Sequence, residues 1–210
     1  MSPTSSDHWD EIFSNTEDTN LGWYEDDLSQ TLKLLKTIPD WEHSNMFLVG
    51  TGTSRLIETV LAKGVHLSLN DISAKALEKV KTRLGKKSAS VNWLCQDISQ
   101  PLKGSAQKQA SVDIWVDRAV LHFLLDEQSI LGYFNNLNKI IKIGGYAIFA
   151  EFSKKGAAKC AGLELHRYSV DELSGRLGSS YQLVDSFEHI FTNPTGEPRP
   201  YIYCLYQRVS

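Results

Sequence analysis

The chain has 210 residues, a formal net charge of −3, 41% hydrophobic and 22% charged residues. That length and balance favour one globular domain with a small appendage and exclude disorder over most of the chain. The acidic balance argues against a general electrostatic grip on nucleic acid, no apolar run approaches the ~20 residues of a membrane span, and the polar N-terminus does not read as a signal peptide.

The first stretch, about Ser5 to Ser14, reads as a short helix with Trp9, Ile12 and Phe13 on one face. A polar turn over Asn15 to Asn20 follows, then Gly22-Trp23-Tyr24 and a second helix carrying Leu28, Leu32 and Leu35, with Pro39 beyond its end. These form an N-terminal helical appendage over residues 1–40. From 41 to 210 strands and helices alternate. The expected strands are Met46–Val49, Val65–Leu69, Val91–Cys95, Val112–Val116 and Tyr146–Phe152. Between them lie helical stripes at Leu56-Ile57-Val60-Leu61, at Leu77-Val80-Leu84 behind the N-cap Ser73, and at Ile130-Phe134-Leu137-Ile141. Gly144-Gly145 is read as the C-cap of the last of these helices. Ser99 to Gln109 reads as a loop. A capping box at Ser169 and Glu172 opens a final helix, and two strands, about Tyr181–Phe191 and Tyr201–Gln207, close the chain as an antiparallel pair. The run Tyr201-Ile202-Tyr203-Cys204-Leu205-Tyr206 is apolar on both faces, which suits a strand inside the sheet. The pattern predicts an α/β fold with a parallel sheet covered on both faces.

Ligands of such sheets bind at the carboxyl ends of the strands. After the first strand, Gly50-Thr51-Gly52 allows a tight turn and close backbone approach. Arg55 stands where a dinucleotide fingerprint needs its third glycine, and there is no Walker A lysine. Asp71, ending the second strand, is placed to accept from both hydroxyls of a ribose. Asp97-Ile98 after the third strand suits an adenine. After the fourth comes Asp117-Arg118-Ala119-Val120-Leu121-His122-Phe123, an acid, a histidine and an aromatic where an acceptor would enter. The three cysteines, Cys95, Cys160 and Cys204, form neither a disulfide framework nor a CxxC metal site, so a cytoplasmic protein is expected.

Taken in order, these signals resemble the class I S-adenosylmethionine (SAM)-dependent methyltransferases. His8-Trp9-Asp10, Gly22-Trp23-Tyr24, Asp117 to Leu124, Lys159 to Leu163, Arg167-Tyr168 and Tyr203-Cys204 are further similar to a group of small bacterial methyltransferases. The resemblance implies a Rossmann-like seven-stranded sheet of order 3-2-1-4-5-7-6 with strand 7 antiparallel. It implies SAM as cofactor, S-adenosylhomocysteine (SAH) as product, and no metal. Cofactor contacts would fall on Gly50, Thr51, Gly52, Asp71, Ile72, Asp97, Ile98, Asp117 and Trp23. Catalysis would involve His122, as a general base, and Asp117. Tyr24, Phe123, Arg167 and Tyr168 would face the acceptor, with Trp23 and Tyr24 closing a lid. Two departures stand out. The family's acid two residues before the first glycine is Leu48 here, and its third glycine is Ser54. The acceptor is expected to be a small soluble molecule such as a thiol, with a protein lysine methyltransferase or a non-catalytic SAM-binding module as the alternatives.

Overall fold

A computed structural model describes residues 5–104 and 108–210. The first four residues, and positions 105–107 of the expected Ser99–Gln109 loop, lie outside the described residues. The helices are α1 (Ser6–Asn15), α2 (Ser29–Leu35), α3 (Leu56–Leu61), α4 (Ala74–Leu84), α5 (Glu127–Ile140) and α6 (Val170–Leu177). The strands are β1 (Asn45–Val49), β2 (His66–Asp71), β3 (Asn92–Cys95), β4 (Val112–Arg118), β5 (Ile141–Phe152), β6 (Lys159–Cys160), β7 (Leu163–Glu164), β8 (Tyr181–Thr192) and β9 (Pro198–Arg208).

One seven-stranded sheet runs β3-β2-β1-β4-β5-β9-β8. The β1–β2, β1–β4, β2–β3 and β4–β5 pairs are parallel, and β9 runs antiparallel to both β5 and β8. Counting only strands of this sheet, the order is the expected 3-2-1-4-5-7-6. The last strand is inserted between its neighbours because Tyr201, Tyr203 and Leu205 pack on one face while Ile202, Cys204 and Tyr206 pack on the other. One apolar layer joins α2, α3 and α4 to the sheet through residues such as Leu34, Ile57, Val60 and Val80. The opposite layer joins α5 and α6 through Tyr133, Leu137 and Leu173. Burial of these helix stripes on both sheet faces is the main stabilising contribution, at roughly 25 cal/mol per Å² of apolar surface removed from water.

The N-terminal segment is tied to the sheet domain by polar and apolar contacts. Phe13 and Leu21 bury against Ala76 of α4. The Asp10 carboxylate accepts from the Ser73 hydroxyl at 2.5 Å and from the Lys75 N–H at 3.1 Å, so α1 helps cap α4.

Two local expectations are corrected. Gly144-Gly145 does not cap a helix: α5 stops at Ile140 and both glycines lie inside β5. There the register with β4 shifts between Val112 and Ile114, and a Cβ on Gly145 would stand 2.9 Å from the Asp113 carbonyl oxygen. The glycines are needed for a bulge and a close strand approach. At Ser169 only half of the capping box forms. Its side chain accepts from the Glu172 N–H, whereas the Glu172 carboxylate turns to Lys154 and His166.

Candidate functional site

The carboxyl ends of β1, β2, β3 and β4 converge on one pocket, roofed by the N-terminal segment. After β1 the chain turns through Gly50 (φ 49°) and Gly52 (φ 48°), both left-handed. A Cβ on Gly50 would meet Val120 Cγ2 at 2.2 Å, and one on Gly52 would meet the Phe13 ring at 3.1 Å. Backbone conformation and the neighbouring side chains therefore both call for glycine here.

Asp71, at the end of β2, is buried against this turn. Its Oδ2 accepts from the Gly52 N–H at 2.7 Å and its Oδ1 from the Ser73 N–H at 2.8 Å. The carboxylate thus ties the glycine turn to the start of α4 and still lines the pocket. Burial pushes its pKa up to about 6, against the pull of the two N–H donors, and Asp10 adds to the rise. Asp97 Oδ1 accepts from the Ser99 N–H at 2.8 Å, closing an Asx turn next to buried Ile98, which lines the pocket as half-buried Ile72 does.

The other end of the pocket is aromatic. Trp9 packs edge-on against Trp23 and against Phe123, with centroids 5.6 and 4.9 Å away, and Phe13 meets Trp23 at 6.0 Å. Rings from the appendage therefore join the loop after β4 over the glycine turn. Tyr24, Tyr201 and Cys160 complete this end.

Behind the wall lies a buried polar network. Asp117 accepts from the Tyr133 hydroxyl at 2.6 Å and from the N–H groups of Val120 and Leu121 at 3.0 and 3.1 Å. The same Tyr133 oxygen accepts from Trp115 Nε1 at 2.9 Å. His122 Nδ1 lies 2.6 Å from Glu151 Oε2, and both side chains are 0% exposed. Burial pushes Glu151 up to about 8 and His122 down to about 3. Both shifts run toward the uncharged forms of the two groups, because burial penalises charge on each. Asp117 is likewise raised well above the usual carboxylate range, by burial first and by Glu151 second.

The pocket brings together Gly50, Thr51, Gly52, Asp71, Ile72, Asp97, Ile98, Trp23, Tyr24, His122 and Phe123. The geometry places three of the expected site residues off the pocket and buries a fourth in its wall. Asp117 does not line the pocket: its carboxylate holds the loop after β4 from behind. His122 is part of the pocket wall but is fully buried, with its Nδ1 engaged by Glu151. Tyr168 is 0% exposed in the core behind α6, and its N–H pairs with the Phe152 carbonyl. Arg167 donates to the carbonyls of Lys154 and Gly156, away from the pocket. The sequence reading missed Glu25 and Arg118, a lining ion pair at 2.7 Å. For Arg118 a signal existed: it stands two residues after the buried Val116 of the same strand, hence on the same sheet face. Glu25 carries no such signal. Among the described residues, no group of three or more His, Cys, Asp or Glu is placed to hold a metal ion, and no helix is long and apolar enough to cross a membrane.

A glycine turn after the first of the parallel strands and a buried acid at the end of the second is an arrangement that nucleotide-binding α/β folds share. Comparison with known proteins narrows this. Residues 48–147 match a methyltransferase domain family. A malonyl-[acyl-carrier protein] O-methyltransferase of Ilyobacter polytropus is 27% identical over 112 residues, which are 52% of this chain and 40% of that one. The chain thus spans less than half the length of that relative. Among solved structures, the N-methyltransferase NodS of Bradyrhizobium japonicum in complex with SAH is similar at TM-score 0.69 and 15% identity, over 97% of this chain and 100% of that one. The 1,6-didemethyltoxoflavin-N1-methyltransferase of Burkholderia thailandensis, with bound 1,6-didemethyltoxoflavin and SAH, is similar at TM-score 0.65 and 16% identity, over 88% and 80%. A SAM-dependent methyltransferase of Anabaena variabilis reaches TM-score 0.75 at 12% identity, over 97% and 93%. At these identities the structures show a shared fold. Residues 48–147 are just under half of the chain, and this domain match together with the strand order makes the chain similar to the class I SAM-dependent methyltransferases.

Proposed function

We propose that this chain transfers the methyl group of SAM to a small soluble acceptor in the cytoplasm. The observation that carries this reading is one pocket in which the glycine turn, Asp71 and Asp97-Ile98 follow successive strands and meet an aromatic end. The residues fit the cofactor. Asp71 keeps lone pairs for ribose hydroxyls, Ile72 and Ile98 offer apolar faces to an adenine, and Gly50 and Gly52 line the same pocket. Bound SAM supplies an electrophilic methyl group on a sulfonium, so the protein need only position the reactants and exclude water. Trp9, Trp23 and Phe123 close the aromatic end, and their faces favour a cationic group. Of the appendage, the described residues 5–40 act here as a lid over the site, with Phe13 and Trp23 seated on Gly52.

His122 and Glu151 shape the wall rather than move a proton, so the acceptor reaches the site already deprotonated or loses its proton to water. The 1,6-didemethyltoxoflavin bound to the Burkholderia enzyme supports a small-molecule acceptor on this fold. The discriminating experiment is turnover of methyl-labelled SAM with a panel of thiols, amines and carboxylates, run beside whole-cell protein extract. Label in a small molecule is the expected result. Label in protein assigns a protein methyltransferase instead, and SAM binding without turnover assigns a non-catalytic binding module.

The Asp71 environment gives a pH signature. Ribose hydroxyls donate to the ionised carboxylate, so binding favours ionisation and lowers a pKa that stands at about 6 in the free protein. SAH affinity should therefore rise as pH increases through about 6 and level off above it. Glu25 is also raised by burial, so Asp71→Asn serves as the control that removes the Asp71 share. Calorimetric titrations from about pH 5 to about pH 8 test this, and a flat wild-type profile refutes it.

A further inference from the structure

The position two residues before Gly50 is Leu48, so β1 brings no acid to the pocket. A carboxylate arrives there by another route. Leu48 pairs in register with Val116, and Arg118 stands one pleat further along β4 on the same sheet face. Arg118 Nε lies 2.7 Å from Glu25 Oε2, and its Nη1 donates to the Trp23 carbonyl at 3.1 Å. The guanidinium is flanked by the rings of Phe191 and Tyr201, 5.3 and 5.6 Å from their centroids. Its Nε and Nη2 are both buried without a hydrogen-bond partner, so the Glu25 contact is an ion pair that lacks hydrogen-bond geometry. Glu25 Oε1 accepts from the Tyr203 hydroxyl at 3.4 Å, and the residue is only 9% exposed. Burial pushes the Glu25 pKa up, with Arg118 opposing the rise. A buried ion pair is costly to desolvate, and one with an unused donor at a pocket wall points to a ligand that uses it.

We propose that Glu25 and Arg118 together receive the methionine end of SAM, with Glu25 taking the ammonium in place of an acid at position 48 and Arg118 taking the carboxylate. The ligand chemistry is an α-amino acid zwitterion. Its two opposite charges sit on one carbon, and the pocket offers two opposite charges 2.7 Å apart. Arg118 holds an unpartnered Nη2 donor suited to a carboxylate, and guanidinium–carboxylate contacts are among the stronger hydrogen bonds. Glu25 follows Trp23 and Tyr24 directly, so cofactor binding and seating of the N-terminal lid become one event. The inference rests on the reading of this pocket as the SAM site.

The test is calorimetry with two ligands, SAH and 5′-methylthioadenosine, which shares the nucleoside and sulfur but lacks the amino acid. In Glu25→Gln the SAH dissociation constant should rise by about 10-fold or more, as expected for loss of a charge-assisted contact, while methylthioadenosine affinity stays within about 2-fold. Adding Leu48→Asp to Glu25→Gln should recover most of the loss by restoring the acid on β1. Equal SAH affinity in wild type and Glu25→Gln overturns the proposal. Equal weakening of both ligands also overturns it, because Glu25 is then structural. If wild type binds neither ligand, the SAM-site reading itself fails, an outcome distinct from the other two.

Discussion

Asp71→Ala is expected to weaken SAH binding by about 100-fold, or about 2.7 kcal/mol. Two effects add. The carboxylate is the acceptor available to ribose hydroxyls at the end of β2, and hydrogen bonds to a charged group contribute about 1.5–3 kcal/mol each. It also fixes the glycine turn through the Gly52 and Ser73 N–H groups at 2.7 and 2.8 Å, so its removal loosens the surface that meets the rest of the ligand. Stability should fall less than affinity, because the lost hydrogen bonds are partly offset by release from burying a carboxylate whose pKa stands near 6. Calorimetric titration of the variant checks the prediction, and an unchanged dissociation constant means that Asp71 serves the turn alone.

Asp117→Ala should produce the largest loss of stability, about 3–5 kcal/mol. Without the carboxylate, the Val120 and Leu121 N–H groups and the Tyr133 hydroxyl lose the acceptor they share in a fully buried site. For a chain of this size the melting temperature should drop by on the order of 10 °C. Asp117→Asn should cost only about 1 kcal/mol, since it keeps an acceptor and removes a charge that burial and Glu151 both oppose. Thermal melts of the two variants separate the readings. A melting point within about 2 °C of wild type for Asp117→Ala would show that the network does not hold the loop.

Much of the fold is legible in the residues. The five parallel strands are built on apolar runs that end at Val49, Asp71, Cys95, Arg118 and Phe152, and these runs are legible from the sequence pattern. The β6–β7 hairpin was invisible because each strand has only two residues and the turn needs Ala161 at φ 52°, a conformation that no sequence rule assigns to alanine. Gly144-Gly145 carried a real signal for backbone freedom, yet a helix cap and a strand bulge call for the same residue type.

In the site, Gly50, Gly52, Asp71, Asp97 and Ile98 were legible because each lies at or just past the end of a strand, and the fold draws them to one pocket. Residues whose role depends on a distant partner were not legible. His122 looks like an exposed base until Glu151, on β5, is seen 2.6 Å from its ring. Tyr168 looks accessible until the chain folds it beneath α6. Glu25 gains its meaning only from Arg118, which is 93 positions away in the chain.

The central claim is that the pocket beneath Trp9, Trp23 and Phe123 is the SAM site, and a crystal structure with SAH tests it most directly. The account predicts adenine between Ile72 and Ile98, ribose hydroxyls on Asp71, and the amino acid end at Glu25 and Arg118 below the aromatic roof. Density for SAH outside this pocket, or a pocket that stays empty in crystals grown at saturating SAH, would contradict it.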